Sequence, residues 1–294
     1  MPFTLSHAAA VLPAVRGDGT GRGRLVPAVL VAGSFAPDMT YYAASVRPGA
    51  MEFGTVTHSL PGAFTVDVLI AWALVGLWLV VREPLVALLP RHRQGPVAAL
   101  TRCGTPRARP RPSTVPRWYA SAALGASTHV VWDAFTHLDR WGMRVFPVLG
   151  SRLAGAPLYW YLQYGGSMVA AAGIAGFLVH ALRRAPAGEP VGVARLSARD
   201  RWWAGAVIGG CAVAGAVQRA AGQWVLGGTA AKPWELVPTL CFGAGAGLVP
   251  GLLLYAVGVR AWRPARAPGG RGGPAAGPGS SGGVDARVGR PARR

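Results

Sequence analysis

Three residues with metal-ligating side chains, His129, Asp133 and His137, follow one another at intervals of four in the stretch THVVWDAFTH. The stretch contains neither Pro nor Gly, which favours a helix, and a helix returns to nearly the same face every four residues. Imidazole nitrogen and carboxylate oxygen are usual ligands of Zn²⁺ and also suit Mn²⁺ and Fe²⁺. The spacing therefore predicts a row of metal ligands on one helical face, although the same residues would also suit a solvated polar face.

The composition indicates a membrane protein. Of the 294 residues, 51% are hydrophobic and 14% are charged, whereas about 25% of residues are charged in soluble domains. A bilayer-spanning helix needs about 20 mostly apolar residues. Five segments reach or approach that length: 63–81, 118–137, 165–182, 202–217 and 236–259. A sixth, 25–46, contains Pro27, Pro37 and Asp38 and is a weaker candidate. We therefore expect an all-α, polytopic integral membrane helical bundle of five to six transmembrane helices.

The basic residues are concentrated between alternate spans. Eight Arg lie in 82–117, five in 183–201 and eight in 260–294, whereas each intervening connection carries three basic residues or fewer. Such alternation marks the cytoplasmic connections of a membrane protein. We expect a multi-pass membrane protein with a cytoplasmic C-terminus. The same clustering accounts for the net charge of +19 without a nucleic-acid partner.

The pattern predicts one membrane-embedded helical domain, residues 1–262, followed by a disordered tail. The tail, 263–294, is rich in Gly, Pro and Arg and cannot bury a core. A basic, Pro-rich cytoplasmic loop at about 82–117 is expected to be flexible. Whether 25–46 spans the membrane or is re-entrant decides the side on which the N-terminus and His7 lie.

Two further candidate ligands come from elsewhere in the chain. Asp38, in AGSFAPDM, lies in the outer part of its segment, and His58, in THSLPG, lies just before the next predicted span. These two stretches and the outer, non-cytoplasmic end of the THVVWDAFTH helix make three separate stretches that place ligand-type side chains at one membrane level. An ionisable side chain inside a bilayer costs about 2.5–3.5 kcal/mol on insertion scales and persists when it pairs, binds an ion or faces a cavity. Alternatively, Asp38 caps the helix that follows it and His58 occupies a turn.

Three or four such ligands with one position left for water form a catalytic site, because the metal lowers the pKa of that water. The candidate metal ligands are His7, Asp38, His58, His129 and Asp133, and the candidate catalytic residues are Asp38 and His137. His137 would be a ligand or the acid for a leaving group. The expected cofactor is a divalent metal, Zn²⁺ first, with Mn²⁺ or Fe²⁺ as alternatives.

Five stretches occur in an order that resembles an uncharacterised bacterial membrane family, domain of unknown function 4184. They are MPFTLSHAAAVLP, AGSFAPDM, THSLPG, LGASTHVVWDAFTH and YLQYGGSM. The chain is similar, more distantly, to membrane-bound metal-dependent hydrolases of bacteria. The His, Asp, His and HxxxD elements of those enzymes match His7, Asp38, His58, His129 and Asp133. That resemblance implies metal-assisted hydrolysis of a lipid or phosphoester.

The sequence leaves two other functions open. The same polar residues suit a non-enzymatic transporter or metal-handling membrane protein, in which they form a proton-relay or conduction path. In a structural membrane protein they would only hold helices together. In each case the lipid bilayer is an expected partner, and the hydrolase hypothesis adds a lipid-like substrate.

Overall fold

A computed structural model describes residues 4–104, 112–188, 190–227 and 233–263. Twelve α-helices lie in these residues: α1 Ala8–Val11, α2 Pro27–Phe35, α3 Met39–Ala43, α4 Gly54–Thr57, α5 Leu60–Phe64, α6 Val66–Leu88, α7 Arg91–Arg102, α8 Val115–Thr136, α9 Trp141–Val145, α10 Leu158–Arg184, α11 Ala198–Gly227 and α12 Pro233–Trp262. The 3₁₀ turns are Thr4–His7, Leu12–Ala14, Ala36–Asp38, Pro48–Ala50, Pro112–Thr114 and Pro147–Gly150. The described strands are two-residue segments, β1 Arg152–Leu153 and β2 Ala156–Pro157, paired antiparallel. The all-α class expected from the sequence is confirmed.

Four helices of the described residues are long and apolar enough to cross a membrane: α6, α10, α11 and α12. The predicted number of five to six spans is not confirmed. The weak candidate 25–46 is divided between α2, a turn that contains Pro37, and α3. α2 has nine residues and is therefore only about 13 Å long, less than half of a hydrocarbon core. α8 has the required length, at 22 residues, but its polar side chains lower its hydropathy.

The segment expected to be a basic flexible loop is partly helical. α6 continues to Leu88, and Arg91–Arg102 form α7. Arg102 anchors α7 to α6, because its Nε and Nη2 atoms donate to the two carboxylate oxygens of Glu83 at 2.9 and 2.7 Å. The predicted loop also ends in structure, since Pro112–Thr114 form a 3₁₀ turn and α8 begins at Val115. Its segment 105–111 and nearly all of the predicted disordered tail, at 264–294, lie outside the described residues.

The interior of the bundle is built from α2, α6 and α8, which pack through small side chains. Their buried cluster consists of Val29, Ala32, Ala36, Val68, Ala71, Val75, Ala122 and Ala123. Two glycines bring α2 and α8 into backbone contact. A Cβ atom on Gly33 would overlap the carbonyl of Ala122, and one on Gly125 would overlap the carbonyl of Leu30. Small residues permit such close helix contacts in membrane proteins.

α11 and α12 form a long hairpin that packs in the same way, with Gly215, Gly243 and Gly247 against the opposing backbone. α12 binds the rest of the bundle at two levels. Near its C-terminal end, the Tyr255 hydroxyl donates to the carbonyl of Pro84 in α6 at 2.7 Å. Near its N-terminal end, Phe242 packs edge-on against the ring of Tyr42 in α3, with centroids 5.1 Å apart.

The backbone contact between α2 and α8 gives the first prediction. Gly125→Ala should lower the free energy of unfolding by about 1–3 kcal/mol, the usual cost of overpacking, because the new methyl group meets a backbone atom that cannot move aside. Gly76→Ala in α6 is the matched control, since a Cβ there meets nothing within 4 Å. Thermal unfolding of the two variants in detergent measures the difference. Equal unfolding midpoints would show that the contact is not tight.

Candidate metal centre

Four buried side chains from three parts of the chain meet at one point. Asp38 ends the turn Ala36–Asp38, His58 follows α4 directly, and His129 and Asp133 occupy successive turns of α8. The four residues are between 0% and 6% exposed. One ligand atom of each lies within 4.8 Å of those of all the others. This group could hold a metal ion.

The distances in the group match the size of a metal site. Nε2 of His58 lies 3.4 Å from Oδ1 of Asp38 and 3.6 Å from Oδ2 of Asp133. Nε2 of His129 lies 3.5 and 3.4 Å from the same two oxygens. A tetrahedral ion with ligand bonds of about 2.1 Å separates its ligands by about 3.4 Å. All four nitrogen–oxygen distances are therefore close to the separation of ligands that share one ion.

Backbone carbonyls turn the correct nitrogen of each imidazole toward the centre. Nδ1 of His129 is 2.7 Å from the carbonyl oxygen of Ser34, and Nδ1 of His58 is 3.0 Å from that of Gly54. Because a carbonyl only accepts, each Nδ1 carries a hydrogen, and in the neutral ring Nε2 is then the nitrogen with the lone pair. Both Nε2 atoms are buried without a hydrogen-bond partner among the described residues. This carbonyl–imidazole arrangement is the one that supports metal-bound histidines.

Hydroxyl groups hold Asp38 in place. The Thr4 hydroxyl donates to Oδ2 of Asp38 at 2.6 Å, and the Tyr42 hydroxyl donates to Thr4 at 3.2 Å. The Thr57 hydroxyl donates to the carbonyl of Pro37 at 2.9 Å, which ties the Asp38 turn to α4. One oxygen of Asp38 is thus engaged by Thr4, while the other faces the two histidines.

The remaining two sequence-predicted residues lie beside the group, at the second oxygen of Asp133. Nε2 of His7 is 3.6 Å from Oδ1 of Asp133, and Nδ1 of His137 is 3.5 Å from it. The His7 ring also stacks on the His129 ring, with centroids 3.6 Å apart. Burial lowers the pKa of His7 to about 3, so this imidazole is neutral. His137 donates from Nδ1 to the backbone carbonyl of Asp133 at 3.3 Å.

A cleft of about 250 Å³ reaches the group from the surface. Its lining residues are Asp38, Tyr41, Met51, Asp133, His137, Asp139, Arg140 and Phe242. Met51 is 45% exposed and lies at the rim, whereas Asp38 and Asp133 form the buried end. A small molecule that enters this cleft would meet the carboxylates, His137 and Arg140 together.

Sequence reasoning missed the groups that orient the ligands. Thr4, which holds Asp38, lies three residues before His7 in the quoted N-terminal stretch. Arg140, which lines the cleft, lies three residues after His137. Both were within reach of a motif-based argument. The Ser34 and Gly54 carbonyls were not, because every residue carries a carbonyl and only the packing of helices selects two of them.

Thr4→Val tests the support of Asp38. The substitution keeps the side-chain shape but removes the hydroxyl that donates to Oδ2, and losses of such supporting hydrogen bonds cost about 10–100-fold in metal affinity. Thr55→Val is the matched control, since the Thr55 hydroxyl donates to the Glu52 carbonyl at an exposed site. Competition of the purified protein with a chelator for Zn²⁺ measures both affinities. Unchanged affinity in Thr4→Val would mean that the carboxylate needs no such support.

Comparison with known proteins gives one match. No curated protein and no solved structure is significantly similar to this chain. A family model matches residues 1–257, a range that contains the four-residue group, His7, His137 and all residues of the cleft. The chain therefore belongs to the family described as Domain of unknown function (DUF4184).

Proposed function

We propose that the chain is a membrane-embedded, metal-dependent hydrolase that acts on a lipid-like phosphoester. The observation that carries the proposal is the buried group of Asp38, His58, His129 and Asp133, whose nitrogen–oxygen distances of 3.4–3.6 Å suit one ion. Its position at the end of a surface cleft favours a catalytic site over a closed structural one. The expectation from the sequence motifs, a similarity to membrane-bound metal-dependent hydrolases, agrees with this proposal.

The donor set favours a divalent transition metal, Zn²⁺ first and Mn²⁺ or Fe²⁺ next. Two carboxylates in a buried site also need a compensating positive charge. A bound ion of this kind polarises a phosphoryl oxygen and lowers the pKa of water. The protein's own contribution is to hold the four ligand atoms in place and to exclude bulk water from the buried end of the cleft.

His137 is the proposed proton donor for the leaving group. Its ring lines the cleft, and both ring nitrogens are engaged by protein groups. Nδ1 donates to the carbonyl of Asp133 at 3.3 Å, and the amide of Gln163 donates to Nε2 at 3.4 Å. These contacts hold the imidazole at the edge of the ligand group. To act as the acid, the ring would carry a transferable proton on Nε2 and direct it to the leaving group in place of the contact with Gln163.

The lining of the cleft supports a phosphoester with an apolar part. Arg140 carries a guanidinium group, whose planar donors match phosphate oxygens. Tyr41, Met51 and Phe242 supply apolar walls near the rim. A phospholipid combines the two chemistries. Its phosphate would lie toward the buried end of the cleft, and its acyl chains would point toward the membrane.

The placement of basic residues supports a site at the extracytoplasmic face of a bacterial inner membrane. α6 has 23 residues and is therefore about 34 Å long. Its first end follows α5, on the side of the metal group, and its other end leads to the basic helix α7. Tyr255 and Arg260, near the end of α12, bind carbonyls in the second half of α6. The end of α12 thus lies on the basic side of the bundle, which the positive-inside rule makes cytoplasmic, and this supports the proposal of a cytoplasmic C-terminus.

Metal analysis of the full chain purified in detergent tests the metal site. We expect bound Zn or Mn in the wild-type protein and its loss in His129→Ala and Asp133→Ala, because each substitution removes a ligand atom from the group. His92→Ala is the control, since His92 lies on α7, far along the chain from the ligands. Wild-type protein that folds without binding any divalent metal would contradict the proposal and favour a structural role.

His137→Gln separates catalysis from metal binding. If His137 donates a proton, its loss should lower the rate by about 10²–10⁴-fold and leave the bound metal unchanged. Hydrolysis of short-chain phospholipids and p-nitrophenyl phosphate by metal-loaded protein measures the rate, and metal analysis of the same samples measures occupancy. Loss of metal in His137→Gln would instead identify this residue as a ligand.

Asp67 favours a second candidate function, proton-linked transport. Both of its carboxyl oxygens are buried in the first turn of α6 and have no hydrogen-bond partner among the described residues. Ionisable residues at such positions mark proton paths in transporters. Stoichiometric metal binding without hydrolysis of any tested phosphoester, combined with proton uptake into vesicles that Asp67→Asn abolishes, would support this candidate over the hydrolase.

A further inference from the structure

Asp133 presents its two carboxylate oxygens to two different sets of histidines. Oδ2 belongs to the four-residue group, at 3.4 Å from Nε2 of His129 and 3.6 Å from Nε2 of His58. Oδ1 faces Nε2 of His7 at 3.6 Å and Nδ1 of His137 at 3.5 Å. Oδ1 is also buried and has no hydrogen-bond partner in the described part of the chain. One carboxylate therefore borders two separate positions.

His7 is a ligand-type side chain that the first site leaves unused. It is 3% exposed, and neither ring nitrogen has a hydrogen-bond partner among the residues described. A buried imidazole with two unpaired nitrogens is costly unless something absent from the protein itself binds there. Nε2 of His7 faces Asp133, so it is the nitrogen placed to bind such a ligand.

The stacking of His7 on His129 shows that one ion cannot serve both rings. The ring centroids are 3.6 Å apart, and the ring planes differ by 13°. The lone pair of an imidazole nitrogen lies in the ring plane, so a well-bound ion lies near that plane at about 2.0–2.1 Å from the nitrogen. An ion shared by two stacked rings would lie well outside both planes. The ion bound by His129 and any ion bound by His7 must therefore be different ions.

We propose that Nε2 of His7 and Oδ1 of Asp133 bind a second divalent cation, bridged to the first by the Asp133 carboxylate. This inference rests on the proposed function for the first ion. The stacked rings are 3.6 Å apart at their centroids, a spacing comparable to the roughly 3.5–4 Å between the ions of two-metal sites that cleave phosphoesters. The second ion has fewer protein ligands than the first, so it binds more weakly. Asp133 and His137 line the cleft, so this position lies next to it.

A Mn²⁺ titration of the full chain, stripped of metal in detergent, tests the proposal. The wild-type protein should bind two Mn²⁺, the second at least about tenfold more weakly, since it has half as many protein ligands. The two ions should give the broadened spin-coupled electron paramagnetic resonance signal of a bridged pair. His7→Phe keeps a flat ring to stack on His129 but removes both nitrogens, so it should bind one Mn²⁺ with an uncoupled six-line signal. His92→Phe is the matched control and should bind two.

The outcomes separate the second site from the first. A wild-type protein that binds a single Mn²⁺, lost in His129→Ala, would overturn the second site and leave the first intact. A His7→Phe variant that retains two coupled ions would also overturn it. A wild-type protein that binds no Mn²⁺ would overturn both. If His7→Phe does not fold, His7→Gln and the wild-type stoichiometry still decide, because a coupled pair in the wild-type protein requires two adjacent sites.

Discussion

The hydrogen bond from Nδ1 of His129 to the carbonyl of Ser34, at 2.7 Å, is the contact on which the rest of the site depends. It exists only because α2 and α8 touch through their backbones at Gly33 and Gly125. That contact brings a carbonyl of one helix to a side chain of the other and leaves Nε2 of His129 free to face the carboxylates. The packing of α2 against α8 therefore also decides which nitrogen of His129 faces the other ligands.

Asp133 links the ligand group to its surroundings. Its position one turn after His129 places a carboxylate between the ligands from α2–α4 and the N-terminal turn that carries His7. The side chain can serve both sides because its two oxygens point in different directions. A single substitution at this position would therefore disturb more of the site than a change at any one histidine, since it alters contacts to four imidazoles.

The architecture also explains how a strongly apolar chain tolerates so many buried ionisable groups. α8 carries two of them, His129 and Asp133, and the turns Thr4–His7 and Ala36–Asp38 and the residue after α4 carry the others. The apolar helices α6 and α10 pack against α8. Two carboxylates and four imidazoles share one small region, where each of them lies close to an opposite charge or to a proposed ion position. Isolated burial of any one of them would cost several kcal/mol, so the group is stable only as a set.

The sequence by itself determined the helical class, the membrane character and the ligand types, because apolar runs and the four-residue helix period are local properties of the chain. The spacing of His129 and Asp133 placed both on one face of a helix, as observed. The prolines of 25–46 already marked it as a weak span, whereas only the tertiary structure decided that His7 lies against Asp133 and that the Ser34 and Gly54 carbonyls orient the histidines. These features depend on backbone atoms that every residue shares and on contacts between distant segments, so no residue type or spacing records them.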